Sequence, residues 1–236
     1  MGNLKPREIF LKACSEIAEY FTEYGFKSAQ KGQILKKVSK DKDISFVIDF
    51  QSSLRNYESS ISIRPHIHIT SKQLEQWETL QGFNDKGGIF GRTNIGYIAA
   101  FQNYKEWNLA GLSYENVVRE IVELLKNYAL PLFEIFETQE NAIAFLSNDE
   151  LRFNKWTKKD FSCLPFMICF ATKAQAEKYF DHCIINCNWG GRVKGLYKEL
   201  EKTETIDLNY IEFVGADIVK LAFVNKLKLK GGCNEK

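Results

Sequence analysis

The chain has 236 residues, of which 44% are hydrophobic and 26% carry a charge, an ordinary composition for a globular protein. Its 32 Lys and Arg residues nearly balance its 30 Asp and Glu residues, so the formal net charge is +2. A chain this close to neutrality lacks the strong long-range field that steers proteins to nucleic acid or to anionic membranes. We therefore expect no nucleic-acid partner and no membrane partner.

The pattern of apolar residues and cysteines predicts a cytoplasmic protein. The longest clean apolar run covers residues 164–171, far short of the ~20 residues that a membrane helix needs. Residues 1–14 lack the apolar region of a signal peptide. The six cysteines are scattered along the chain, which is typical of reduced thiols and not of a disulfide framework.

The first predicted element is a helix that begins near Pro6. Apolar residues follow at helical spacing, and Gly25 is well placed to end the helix. Ile34 and Val38 then indicate a first strand, which turns at residues 40–43 into the next one.

Two further strands are predicted by alternation, at residues 44–50 and 61–69. In the first run the apolar residues are even-numbered, and in the second they are odd-numbered. This period of two is typical of strands with one buried face, and the intervening polar residues 52–59 predict a hairpin loop.

Pairing of these two strands must place an even residue opposite an odd one, because a one-residue slip would turn one apolar set outward. We expect Phe50 opposite Ile63, Phe46 opposite Ile67 and Ile44 opposite Ile69, which sets Asp49 opposite Arg64. The second face of this hairpin would then display five polar side chains together: Asp49, Gln51, Arg64, His66 and His68. Pro65 cannot donate a ladder hydrogen bond and predicts an edge strand or a bulge.

The rest of the chain changes from strand patterns to helical ones. Strands are predicted at residues 95–101 and 107–110, and a helix capped by Ser113 is predicted to stop before Pro131. Helices capped by Thr138 and Thr172 follow, with further helical patterns at residues 193–200 and 211–227.

We therefore predict an α+β fold, in which an antiparallel β-meander packs against helices and a mainly helical C-terminal half follows. Residues 1–138 would form the sheet domain. Residues 139–236 would form a helical part that is either separate or packed with the first as one domain.

His66 and His68 are the sharpest candidates for chemistry. Two residues apart on a strand, they point the same way and could bind a metal if a third ligand converged. His68-Ile69-Thr70 also matches the His-x-Thr element that two-histidine phosphoesterases use in pairs. The second copy is absent, since His182 is followed by Cys183. Asp49 is the carboxylate expected beside them, and the alternative is a solvated strand face without a ligand.

Two other patterns have simpler explanations. The lysine-rich residues 27–42 could contact phosphates, with Phe26 and Phe46 available for stacking, but lysines on a solvated edge hairpin suit the near-neutral charge better. The glycine clusters at residues 87–91 and 190–195 lack the Gly-Lys-Ser/Thr ending and the GxGxxG context of phosphate loops. No cofactor is expected.

Several short segments carry a resemblance to a known family. They are Tyr24-Gly25-Phe26, the strand ending at residues 49–53, Trp77, and the late helix that runs into residues 128–133. Over roughly the first 140 residues the chain resembles bacterial proteins classified only as a domain of unknown function. The resemblance implies an α+β domain in a cytoplasmic bacterial protein, and some of its relatives look like immunity proteins beside toxins. It implies no catalytic residues.

Two functions remain open from the sequence. The first is a non-enzymatic, immunity-like module that binds a protein partner through the exposed sheet face or edge, with Arg64 and Gln51 as binding candidates. The second is a metal-dependent or phosphoester-cleaving enzyme that uses His66, His68 and Asp49, in which the two histidines would be the metal ligands.

Overall fold

A computed structural model describes residues 4–83, 87–147 and 163–229. In these ranges the chain forms an antiparallel sheet of six strands, followed by helices that lie mostly in the second half. The strands are β1 (Lys27–Ala29), β2 (Ile34–Val38), β3 (Ile44–Gln51), β4 (Ser62–Ser71), β5 (Ile89–Asn94) and β6 (Trp107–Asn108). The helices are α1 (Pro6–Glu19), α2 (Lys72–Leu80), α3 (Ile95–Ile98), α4 (Tyr114–Leu124), α5 (Leu130–Ile135), α6 (Gln139–Ser147), α7 (Leu164–Phe170), α8 (Lys173–Cys187), α9 (Gly190–Leu200) and α10 (Ala216–Val224). The predicted α+β class is confirmed.

The strands follow the chain in the order β1-β2-β3-β4-β5, and β6 pairs with the start of β4. Alternation divides this sheet into an inner, apolar face and an outer, polar face. The inner face of β3 and β4 is fully buried at Phe46, Ile48, Ile67 and Ile69. None of the helices in the described part of the chain is both long enough and apolar enough to cross a membrane.

Aromatic rings from both parts of the chain cover the inner face. The ring of Phe133 in α5 lies 5.1 Å from that of Phe46, and the ring of Phe166 in α7 lies 4.5 Å from that of Phe90. Such pairs contribute about 0.5–1.5 kcal/mol beyond the burial of their area. The larger of two apolar clusters among the described residues contains side chains from α1 through to Leu227, and the smaller consists of Phe83, Leu208 and Leu221.

The pairing of β3 with β4 follows the predicted parity but not the predicted register. Phe46 does lie opposite an isoleucine, but that residue is Ile69, two positions beyond Ile67. Asp49 consequently lies opposite His66, and the expectation that it faces Arg64 is wrong. A two-residue shift keeps every side chain on its own face, so alternation alone cannot separate the two registers.

The prediction that Pro65 marks an edge strand or a bulge is also wrong, because β4 is paired on both sides and its register with β3 is unbroken through Pro65. On the side away from β3, residues 66–70 of β4 pair with β5 and residues 62–63 pair with β6. Pro65 lies between these two pairings. Its partner Phe50 donates its N–H to the Gln33 carbonyl on the β2 side, away from Pro65. The nitrogen of Pro65 therefore points away from β3, toward the gap between β5 and β6, where no strand needs a donor.

The strand predicted at residues 95–101 is replaced by β5 at residues 89–94 and the short helix α3. Asn94 causes the change, since its side-chain oxygen accepts the N–H groups of Gly96 and Lys105, both at 3.0 Å. Its amide donates to the Lys105 carbonyl at 3.1 Å. A side chain with these partners caps a helix and ends a strand.

The helix that begins at α4 passes Pro131 and does not stop before it. A π-helical turn, Leu125–Ala129, joins α4 to α5, and Pro131 sits in the first turn of α5. Because α5 begins after this wider turn, Pro131 occupies a first-turn position, where a helix tolerates the missing N–H of proline. Thr172 caps α8 as predicted, whereas the side chain of Ser113 forms no capping hydrogen bond with α4.

Two buried charged side chains and one closely packed glycine connect loops to the helices and strands. Asp43 is 5% exposed and accepts hydrogen bonds from Ser71 Oγ and the Gln73 N–H, each at 2.8 Å. Gly88 has a φ of +62°, and a Cβ there would lie 2.0 Å from the Ser71 carbonyl oxygen. Lys220 is 3% exposed, donates to two loop carbonyls at 3.0 and 2.8 Å and pairs with Glu212 at 2.7 Å.

Candidate functional site

The outer face of the sheet carries all five of the polar residues singled out in the sequence. In the observed pairing, Val47 lies opposite His68, Asp49 opposite His66, and Gln51 opposite Arg64. Cα partners in an antiparallel pair place their side chains on the same face. We use the name outer face below for the five polar residues, Val47, and the residues of β1, β2 and β5 that the successive strand pairings align with them.

Asp49 and His68 form the centre of this face. Asp49 Oδ1 contacts His68 Nε2, and the two side chains are only 20% and 17% exposed. Asp49 Oδ2 accepts a hydrogen bond from Gln51 Nε2 at 3.3 Å. The contact joins neighbouring strands diagonally, because the residue directly opposite Asp49 is His66.

His66 is held differently. Its Nδ1 lies 3.1 Å from the carbonyl oxygen of Arg64 on the same strand. Burial lowers the pKa of His66, the charge of Asp49 acts against this, and the charges of His68 and Arg92 lower the pKa further. The net effect is a lowered pKa, which favours a neutral imidazole at neutral pH.

The carboxyl group of Asp49 is shifted toward its charged form. Burial by itself raises its pKa, but the hydrogen bond from His68 and the charges of His68 and His66 outweigh burial, so the pKa is lowered. Asp49 is therefore an anion near neutrality. A buried anion in contact with an imidazole is an arrangement that can orient that imidazole, either for proton transfer or for recognition.

Arg64 and Gln51, the two predicted binding residues, both lie on the outer face but have partners within it. Arg64 Nε is 3.5 Å from Glu106 Oε2, in the segment just before β6, and Gln51 bonds to Asp49. These contacts leave each of them less free for a partner than the sequence suggested.

The structure adds three cations that sequence reasoning did not assign to this site: Lys27, Lys36 and Arg92. Each is exposed. Lys36 could have been found from its alternation with the buried Leu35 in β2. Arg92 could not have been found in this way, because the strand that carries it was predicted several residues too late.

Metal and thiol chemistry find little geometric support in the part of the chain that the structure describes. Among those residues no group of three or more His, Cys, Asp and Glu side chains is placed to hold a metal ion. Burial raises the pKa of Cys183 to about 12 and also raises that of Cys163, whose thiol lies 3.2 Å from the Phe90 carbonyl oxygen. Thiols with raised pKa values are poor nucleophiles.

Two clefts of the described surface lie away from these side chains. One cleft of about 890 Å³ runs between α1 and α4, and four of its eight lining residues are glutamates: Glu16, Glu19, Glu23 and Glu115. A second, of about 810 Å³, lies beside Leu4 and Leu112. The outer face is a broad sheet surface, a shape more typical of macromolecular recognition than of small-molecule binding.

Comparison with known proteins places the chain in a family without giving it an activity. No curated protein and no solved structure matches it. A family described as Domain of unknown function (DUF4304) matches residues 17–135, which include β1–β6, helices α2–α5 and only the last three residues of α1. This match covers half of the chain and contains every residue of the outer face, and we conclude that the protein belongs to the DUF4304 family.

Proposed function

We propose that this protein is a non-enzymatic, immunity-like binding module of the bacterial cytoplasm, which recognises a protein partner through the outer face of its sheet. The observation that supports the proposal is the face itself. It extends over five paired strands, and its exposed cations stand around a centre of polar side chains that bond to one another.

The size of the face suits a protein partner. Strands about 4.8 Å apart with residues about 3.4 Å apart give the 32 residues of β1–β5 an area on the order of 500 Å². A standard protein interface buries about 800 Å² on each partner. The outer face with its flanking loops therefore provides most of one such interface.

Cross-linking from the centre of the face tests the proposal. Val47 lies in the middle of the outer face between Lys36 and His68, and replacing it with the photoreactive residue benzoylphenylalanine would capture a bound partner in cells. The matched control carries the same residue at Val214, which is 84% exposed in the second half of the chain. An immunity-like role makes the product of an adjacent gene the first partner to examine.

Titration of the purified partner then tests whether the outer face is the binding surface. We expect Val47→Trp to weaken the complex at least tenfold in calorimetric titration, since the indole would prevent close approach, and Val214→Trp to leave the affinity unchanged. Melting curves confirm that both variants are folded. Cross-links formed from position 214 alone, or equal binding by both variants, would show that the outer face is not the binding surface.

One observation favours the alternative function of a phosphoester-cleaving enzyme, namely the contact between Asp49 and His68. A carboxylate that orients an imidazole is a common element of general-base catalysis. Wild-type protein, His66→Ala and His68→Ala should be compared in a screen of phosphomonoesters and phosphodiesters. A turnover that falls a hundredfold in both variants would establish the enzyme, whereas our proposal predicts no turnover above buffer.

A further inference from the structure

A single row of side chains crosses the whole outer face at right angles to the strands. Successive Cα pairings connect Lys27 to Lys36, Lys36 to Val47, Val47 to His68, and His68 to Arg92. With strands about 4.8 Å apart, the five backbone positions span about 19 Å. The row reads cation, cation, apolar, imidazole, cation.

The positive charges at the two ends of the row have no ion-pair partner among the residues that the structure describes. Lys27, Lys36 and Arg92 are exposed, and none of them has an ion-pair partner among residues 4–83, 87–147 and 163–229. Asp49, the acidic residue that the strand pairings place beside this row, is already engaged by His68. Within the described ranges, the row therefore presents three exposed cations that lack an ion-pair partner, all within about 19 Å.

We infer that the partner of the outer face presents an acidic segment that lies along this row, with carboxylates toward both ends and an apolar residue over Val47. This inference rests on the proposed function and specifies the chemistry of the partner. An extended chain spans 19 Å with about six residues, so a short acidic peptide is long enough to contact Lys27, Lys36 and Arg92 together. Charge complementarity of this kind sets the association rate and the choice of partner.

An acidic protein segment fits the row better than a nucleic acid does. Proteins that bind single-stranded nucleic acids without sequence preference use aromatic side chains as platforms on which the bases stack. Among the strand residues described on the outer face, none is Phe, Tyr or Trp. Phe26 and Phe46, the rings considered for stacking in the sequence, are 5% and 0% exposed and pack in the core against Phe133.

Two labelled probes of similar charge distinguish these partners in fluorescence anisotropy. The first is a ten-residue peptide of glutamates with one central leucine, and the second is a ten-nucleotide oligothymidylate. Both are titrated with wild-type protein, with Lys36→Glu/Arg92→Glu, and with the control Lys173→Glu/Lys194→Glu. The control makes the same change in net charge at exposed lysines of α8 and α9.

We expect the peptide to bind wild-type protein, to bind Lys36→Glu/Arg92→Glu at least tenfold more weakly, and to bind the control within twofold of wild type. Replacing the central leucine by serine should also weaken binding, because Val47 then loses its apolar contact. Absence of peptide binding, equal losses in both double variants, or tighter binding of the oligothymidylate than of the peptide would each overturn the inference.

The captured partner separates this inference from the proposed function. A partner that is lost with Val47→Trp but retained by Lys36→Glu/Arg92→Glu would leave the outer face as the binding surface and refute its acidic ligand. A partner that both variants retain would refute the proposed function itself.

Discussion

Adjacent residues of β4 provide a direct test of how the sheet divides the molecule. Ile67 is 0% exposed on the inner face, where it lies between Ile48 of β3 and Thr93 of β5. Its neighbour His66 lies on the outer face and is only partly buried. We compare Ile67→Ala with His66→Ala, because the two changes are one residue apart on one strand and differ in the face that they alter.

The expected costs differ severalfold. Removing three carbons from a fully buried isoleucine costs about 2–5 kcal/mol, and the central position of Ile67 in the core favours about 4 kcal/mol. The graded variant Ile67→Val should cost about 0.5–1.5 kcal/mol. His66→Ala removes a partly exposed ring whose electrostatic interaction with Asp49 is screened by water, so we expect about 0–1 kcal/mol.

Urea unfolding, followed by circular dichroism and tryptophan fluorescence, measures these costs. With a urea m value of about 3 kcal/mol/M, a loss of 4 kcal/mol lowers the midpoint by about 1.3 M. Coincident transitions in the two signals would confirm that one cooperative step is being measured. If Ile67→Ala costs less than about 1 kcal/mol, or less than His66→Ala, then the assignment of inner and outer faces is wrong.

Three further predictions concern Asp43, Gly88 and His66. Asp43→Ala should lower the free energy of unfolding by about 2–4 kcal/mol in urea titration, since the Ser71 hydroxyl and the Gln73 N–H lose a charged acceptor, and Asp43→Asn should cost less. Gly88→Ala should lower the melting temperature, because its Cβ would meet a backbone oxygen at 2.0 Å in a left-handed conformation; an unchanged melting temperature would contradict that geometry. Because the pKa of His66 is lowered from 6.5, unfolded chains take up its proton more readily, so its contribution to stability is full above about pH 6.5 and is lost as the pH falls. His66→Gln should therefore show a smaller loss of stability between pH 7 and pH 5 than the wild type, as measured by urea midpoints.

The sequence did not predict which residues of neighbouring strands pair with each other. Alternation predicted which side chains of β3 and β4 share a face, because a period of two follows directly from the extended backbone. It left a two-residue shift open, since such a shift preserves both faces, and the observed pairing of Asp49 with His66 depends on that shift.

The outer face was therefore predictable in part. Asp49, His66 and His68 were placed on one side of a hairpin by parity alone, and the structure puts them there. The contribution of β5 depended on Asn94, where the strand ends. The side chain of Asn94 forms hydrogen bonds with Lys105, which lies eleven residues further along the chain. A contact of this range has no periodic signal in the sequence, and Arg92 could not be assigned before the fold was known.

Local periodicity thus determined the class of the fold, the two central strands and the inward and outward sides of their residues. Tertiary structure decided the register, the course of the chain past Pro131 and the row that joins Lys27 to Arg92. The physical reason is that a side chain's face depends on its own backbone, whereas its neighbours across a sheet depend on hydrogen bonds between segments that lie far apart in sequence.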